Sequence, residues 1–170
     1  MVTVIIAEKP TAARTIAKSL GEKTVRENVS QEGVKWYEFV RNNKKHYVVA
    51  AVGHLFTLKN MKKGQSYPIF DLEWIPTFQA SKFGGFSKKY FDVANEIAQK
   101  GDEFIVATDY DTEGAVIGYN ILKFMCKRED ARRMKFSTMT KEELEESYED
   151  RKSTRLNSSH NVPSRMPSSA

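Results

Sequence analysis

The sequence predicts an α/β domain with a mainly parallel central sheet flanked by helices, and two observations carry that expectation. Unbroken apolar runs of strand length, rich in β-branched residues, stand at Val2–Ala7 and Phe104–Thr108. A strand without polar alternation is buried on both faces, as in parallel sheets. Each run is followed by a stretch with helical spacing, and alternation of this kind at both ends of a chain builds a layered sheet.

Beyond Val2–Ala7, Pro10 opens a helix, because Ala12, Ala13, Ile16, Ala17 and Leu20 recur at helical spacing and Gly21 stands where a C-terminal cap belongs. Trp36–Arg41 and His46–Val52 are β-rich runs around the polar Asn42, Asn43, Lys44 and Lys45, which predicts a hairpin. Phe56–Gly85 is aromatic, proline-bearing and aperiodic, and is expected as an ordered loop region over the sheet. Lys88–Gln99 resumes helical spacing through Tyr90, Phe91, Ala94, Ile97 and Ala98, with Gly101 as its stop. Glu113–Cys126 is a helix with Val116, Ile117, Ile121, Leu122 and Met125 on one face. Met134–Phe136 reads as a short strand, and Thr140 with Glu143 forms a capping box that starts a last helix.

Bulk statistics are distorted by the C-terminus. Asp150–His160, DRKSTRLNSSH, back-translates into a sequencing-library adapter, and Pro163–Ala170 reads as its continuation past the index. Residues 150–170 are therefore expected to be non-native read-through without order, and residues 1–149 one compact domain. The full chain has 27 Lys and Arg against 22 Asp and Glu, a charge of +5; without Asp150, Arg151, Lys152, Arg155 and Arg165 the balance is 23 against 21, or +2. Basic residues must then be argued singly, since no polyanion-binding surplus remains. One cysteine, Cys126, excludes an internal disulfide. No apolar run approaches the roughly 20 residues of a membrane span, and no signal-peptide pattern is present, so the expected setting is the cytoplasm, with no membrane partner.

Asp109, Asp111 and Glu113 leave the Phe104–Thr108 strand at a spacing of two, so extended backbone would turn their carboxylates to one side. Such a set repels itself unless something positive sits among it, and hard oxygen ligands suit Mg²⁺. A helix cap at Asp111 or Thr112 would account for one acid, not three. D-Y-D-T-E-G also matches the first half of a calcium-binding EF-hand loop, but position twelve falls on Asn120 and a strand precedes the motif, so that reading is rejected. Glu8, Lys9 and Pro10 sit where a first strand passes into a helix, a place that favours an anion, with Lys9 able to hold a phosphate as a point charge. An ordinary polar turn is the other reading of Glu8-Lys9.

Ala7–Ala17, A-E-K-P-x-x-A-x-x-I-A, with V-G-H-L at Val52–Leu55 and A-T-D-Y-D-T-E-G at Ala107–Gly114, resembles the start of a type IA DNA topoisomerase, closer to archaeal enzymes and reverse gyrase than to bacterial ones. M-K-F-S-T-M-T at Met134–Thr140 is similar to the next strand and helix start of that family, and the likeness runs from Val2 to about Glu149. The resemblance implies a TOPRIM domain with Rossmann-like layering. Asp109, Asp111, Glu113 and Glu8 would be the Mg²⁺ acids, Glu8 also the general acid or base at the scissile phosphate, and Lys9 the cation that steadies it. His54 is implied near the site as a DNA contact, or else is a buried structural histidine; Arg14 either reaches a phosphate or is a solvated helix residue. The family works on single-stranded DNA segments without ATP, through a 5′-phosphotyrosine link formed by a tyrosine in a later domain. None of Tyr37, Tyr47, Tyr67, Tyr90, Tyr110, Tyr119 and Tyr148 has that setting, and Tyr110 should point away from the acids by strand alternation. The partners implied are thus DNA and the remaining C-terminal domains of the same polypeptide, with the fragment inactive alone. Met1 at the head of the first strand disfavours a reverse-gyrase helicase half upstream. A stand-alone TOPRIM nuclease and a non-catalytic DNA-binding module are the competing expectations.

Overall fold

The structure, a computed structural model, describes residues 1–61, 71–80 and 84–150. Its centre is a six-stranded sheet. The strands that build it are β1 (Val2–Ala7), β2 (Arg26–Val29), β3 (Lys35–Arg41), β4 (Lys44–Ala50), β7 (Glu103–Ala107) and β8 (Arg132–Arg133), in the order β2-β3-β4-β1-β7-β8. β4, β1, β7 and β8 run parallel, while β2 and β3 add an antiparallel margin.

Burial on both faces explains the unbroken apolar runs. Successive side chains of a strand point to opposite faces, and along β1 Val4 and Ile6 enter one core while Ile5 and Ala7 enter the other. β7 divides in the same way, Phe104 and Val106 against Ile105 and Ala107. The first core is roofed by α3 (Gly85–Ala98) and α4 (Thr112–Asn120), through Val93, Ala94, Ile97 and Ile117. The second lies under α1 (Pro10–Leu20) and α5 (Lys141–Asp150), through Ala13, Ile16, Ala17, Leu20, Leu144 and Tyr148. The expected α/β layering, with a mainly parallel sheet between helices, is the fold observed.

Several expectations are corrected by local physics. The hairpin turn is tighter than four residues: Asn42 and Asn43, at φ of 50° and 55°, make a two-residue turn, and Lys44 and Lys45 already belong to β4. Paired left-handed residues match the twist of the flanking strands, and asparagine tolerates that conformation. Phe56–Gly85 is not simply loop, for β5 (Phe56–Asn60) and β6 (Leu72–Pro76) pair antiparallel and a short α2 (Thr77–Ala80) follows; residues 62–70 and 81–83 lie outside the described residues. β2 went unforeseen because an edge strand with mostly exposed residues carries no apolar signal. The last parallel strand is Arg132–Arg133 rather than Met134–Phe136, although the Met134 N–H still donates to the Val106 carbonyl at 2.9 Å. The helix after β7 ends in a π-helical turn, Ile121–Met125, with the Cys126 N–H donating to the Ile121 carbonyl. Glu143 N–H donates to Thr140 Oγ1, yet the Glu143 carboxylate accepts from the Ser137 and Thr138 amides instead of closing a reciprocal box. Together with the Thr138 hydroxyl, these bonds hold its carboxyl below the usual range.

Residues 151–170 of the expected tail lie outside the described residues, and Asp150 is the last residue of α5. Among the described residues no helix is long and apolar enough to cross a membrane.

Helix–sheet contact is close at Gly118, where an added Cβ would stand 2.5 Å from Val106 Cγ1. Val106 is wholly buried in the central strand β7 and has nowhere to retreat. Gly118→Ala is therefore expected to cost about 1–3 kcal/mol as an overpacking change, read as a Tm lower by several degrees in a thermal melt. An unchanged or raised Tm would show that α4 can lift without penalty.

Candidate active site

Parallel pairing brings the site together. Ala7 is in register with Ala50 of β4 on one side and Ala107 of β7 on the other, so the chain beyond β1 and beyond β7 emerges side by side at the carboxyl edge of the sheet. β1 is also where the sheet order reverses direction, with β4 to one side and β7 to the other. Ligands of open α/β sheets gather in the crevice at such a point.

Glu8 is the first residue past β1 and only 13% of its side chain is exposed. Its backbone carbonyl accepts from the Val52 N–H at 2.8 Å and from Gly53 at 3.4 Å, which prolongs the β1–β4 ladder beyond the strand end. Those two residues take φ of 53° and 74°. Glycine suits that conformation, but a β-branched valine there is strained, on the order of 1–3 kcal/mol. The same turn presents His54, which is exposed and not a buried structural residue. His54 Nε2 stands 3.4 Å from Glu113 Oε1, and its carbonyl accepts from Thr77 Oγ1 at 2.7 Å.

Lys9 is the N-cap of α1 in extended conformation, with Pro10 starting the helix where no amide is needed. Its ammonium lies between two acids, 3.4 Å from Glu8 Oε1 and 3.3 Å from Asp109 Oδ2. The hydrogen bond to Asp109, then the charge of Glu8, raise the Lys9 pKa above its ordinary value. Lys9 is thus charged at every pH below its ordinary 10.5, and on the alkaline side the pair is lost as pH climbs through the raised value. The opposite arm is closed by the Asp109 N–H, which donates to Glu8 Oε2 at 3.2 Å.

The acid motif does not continue as a strand. β7 ends at Ala107, the Asp111 N–H turns back to the Asp109 carbonyl at 2.9 Å, and α4 begins at Thr112. Asp111 is the N-cap, with one carboxylate oxygen accepting from the Gly114 N–H at 2.7 Å. Capping is therefore real for Asp111, while Asp109 faces Lys9 and Glu113 faces His54. Among the described residues, no three His, Cys, Asp or Glu side chains are gathered closely enough to hold a metal ion. Donor chemistry nevertheless fits a hard divalent cation: four carboxylates stand around the ends of two neighbouring strands. Glu8 and Asp109 already meet at one cation, Lys9.

Gly114 makes the turn possible, since a Cβ there would lie 2.2 Å from the Asp109 carbonyl oxygen. Thr108 Oγ1 adds a buried 2.7 Å bond to the Gly114 carbonyl. Tyr110 is half exposed and its ring contacts are Arg133 and Lys135, not the acids. A cleft of about 380 Å³ beside the turn is lined by Asp109, Tyr110, Asp111, Phe136, Ser137 and Met139. Arg14 is exposed on α1, and its charge acts on Glu27, Lys35 and Tyr37. Arg133 was not foreseen: buried arginine is rare, and nothing in R-R-M-K-F marks which arginine turns inward.

The Toprim domain model matches residues 3–139, which include the layered sheet and the acids and lysine at its switch point; the chain belongs to that family. The relatives it resembles are named DNA topoisomerases. It is 43% identical over 151 residues to DNA topoisomerase 1 of Methanocaldococcus jannaschii, a match covering 88% of this chain and 19% of that protein. With DNA topoisomerase 1 of Pyrococcus horikoshii it shares 46% over 142 residues, covering 82% and 21%. The chain thus spans about a fifth of the length of the curated relatives it matches. The fold is similar to part of full-length topoisomerase I from Thermotoga maritima, at a TM-score of 0.54 and 22% identity, over 86% of this chain and 20% of that one. Toprim domains of topoisomerases bind metal.

If the cap is what Asp111 chiefly contributes to stability, Asp111→Ala is expected to lower it by about 1 kcal/mol and Asp111→Asn by only a few tenths, because asparagine caps as well. Thermal melts in EDTA read the difference. Equal losses in the two variants would assign the effect to charge rather than to the cap.

Proposed function

We propose that this chain, over residues 1–149, is the cation- and phosphate-handling domain of a type IA DNA topoisomerase, acting with Mg²⁺ on single-stranded segments of DNA. Residues 150–170 are read as the adapter-derived tail, outside that unit. One observation carries the reading. Glu8 and Lys9 from the end of β1 meet Asp109 from the end of β7, so a carboxylate that can move a proton and an ammonium that can hold a phosphate oxygen share one crevice.

The parts divide the work by chemistry. Mg²⁺, held by Glu8, Asp109, Asp111 and Glu113, would supply charge to offset the phosphate. Lys9 transfers from its carboxylate partners to a non-bridging oxygen of the scissile phosphate and stabilises the charge that grows there. Once Lys9 has left it for the phosphate, Glu8 can take up a proton from water, give it to the departing 3′-oxygen and take it back on resealing, while the attacking tyrosine gives its own proton to water. His54, beside Glu113, would contact the DNA backbone, while Arg14 would offer a second phosphate contact further along α1. The attacking tyrosine is supplied by other domains of the parent polypeptide, so the chain alone neither relaxes DNA nor links to it.

The experiment is a thermal melt across Mg²⁺ concentrations. For a site with Kd near 1 mM, about 10 mM Mg²⁺ stabilises the fold by roughly 1.4 kcal/mol, or about 3–5 °C in Tm. Asp109→Asn and Glu8→Gln should each shrink that increment. A rise that survives both substitutions would place the cation elsewhere, and Mg²⁺-dependent nicking of plasmid by the chain alone would favour a nuclease instead.

A further inference from the structure

We infer that Arg133 is the positioning residue of the acid turn: its guanidinium clamps the backbone of Asp109–Asp111 and thereby sets where those carboxylates stand. The inference deepens the proposed cation site and rests on that reading.

Arg133 ends β8, the edge strand beside β7, and is only 3% exposed. One terminal nitrogen donates to the Asp109 carbonyl at 2.8 Å and to the Asp111 carbonyl at 3.3 Å. The Tyr110 ring, between those two residues, covers the guanidinium with its centroid 4.8 Å from Cζ. Every residue of the D-Y-D segment therefore touches this one side chain. The ion pairs of the site, Lys9 with Glu8 and Asp109 and His54 with Glu113, do not include it, and Nε is buried without a hydrogen-bond partner among the described residues. A cation that loses water without a carboxylate partner is costly to bury, and desolvation does lower the Arg133 pKa, opposed by Tyr110 and Asp111.

Placement explains why the cost is tolerated. Asp109 and Asp111 turn their carbonyls to the guanidinium while their carboxylates engage Lys9 and the Gly114 N–H. Two cations thus hold the turn, Lys9 by its side chains and Arg133 by its main chain. An arginine is needed because a planar guanidinium can lie under an aromatic ring and still donate in its own plane; an ammonium keeps the charge but loses that geometry.

The test compares Arg133→Lys and Arg133→Met with wild type in two measurements. Amide hydrogen exchange needs no metal: both variants should speed exchange at Asp111 and Gly114 selectively, leaving β1 and α1 protected. Mn²⁺ affinity, read by electron paramagnetic resonance on the same samples, should fall about 10–100-fold, the usual effect of removing a group that orients ligands. Unchanged exchange at the acid turn in Arg133→Lys would overturn the inference whatever the metal does. Faster exchange without binding of Mn²⁺ by wild type would keep the clamp and sink the cation site, so the two claims fail separately. Should neither variant fold, wild-type NMR decides: distinct, slowly averaging Nη signals of Arg133 support a held guanidinium, and a single averaged signal rejects it.

Discussion

Carboxylates cannot be gathered at the mouth of a sheet without something to offset their repulsion, and that constraint shapes this domain. Glu8 and Asp109 are brought together by the register of β1 with β7, where Ala7 faces Ala107. Once adjacent, they need a cation, and Lys9 stands between them. Further relief comes from spreading the remaining acids over different partners, a backbone amide for Asp111 and an imidazole for Glu113. Beneath the turn the Arg133 guanidinium adds a second positive charge that faces carbonyls rather than carboxylates. Charge balance of this sort leaves Glu8 and Asp109 ordered around the Lys9 ammonium.

Backbone geometry supports the arrangement at close quarters. The Val52–Gly53 turn accepts left-handed conformations so that its amides can reach the Glu8 carbonyl. Gly114 admits the Asp109 carbonyl to a distance no side chain would allow. Strain at Val52 and the missing Cβ at Gly114 are local costs, offset by the two packed cores on either side of β1.

Much of the fold was legible because the central strands are buried on both faces and announce themselves as unbroken apolar runs. β1 was readable to the residue, and so was the end of α1 at Leu20. What the sequence hid was whatever lacks that signal: exposed β2, the β5–β6 pair inside an aperiodic stretch, and a last strand made of two arginines. At the site, residue types were legible and their partnering was not. Asp109, Asp111 and Glu113 read as one extended row, but a helix begins at Thr112 and turns the row into a cap, a salt link and a histidine contact. Arg133 was invisible for a different reason, since its role depends on burial that a polar residue type argues against.

Placement of a divalent cation is the central claim, and paramagnetic broadening measures it most directly. Trace Mn²⁺ added to isotope-labelled chain should first erase amide signals at Glu8, Lys9 and Asp109–Glu113, while the acidic face of α5, Glu142 to Glu149, keeps its signals. Broadening that begins on α5, or spreads evenly over all exposed carboxylates, would contradict the account.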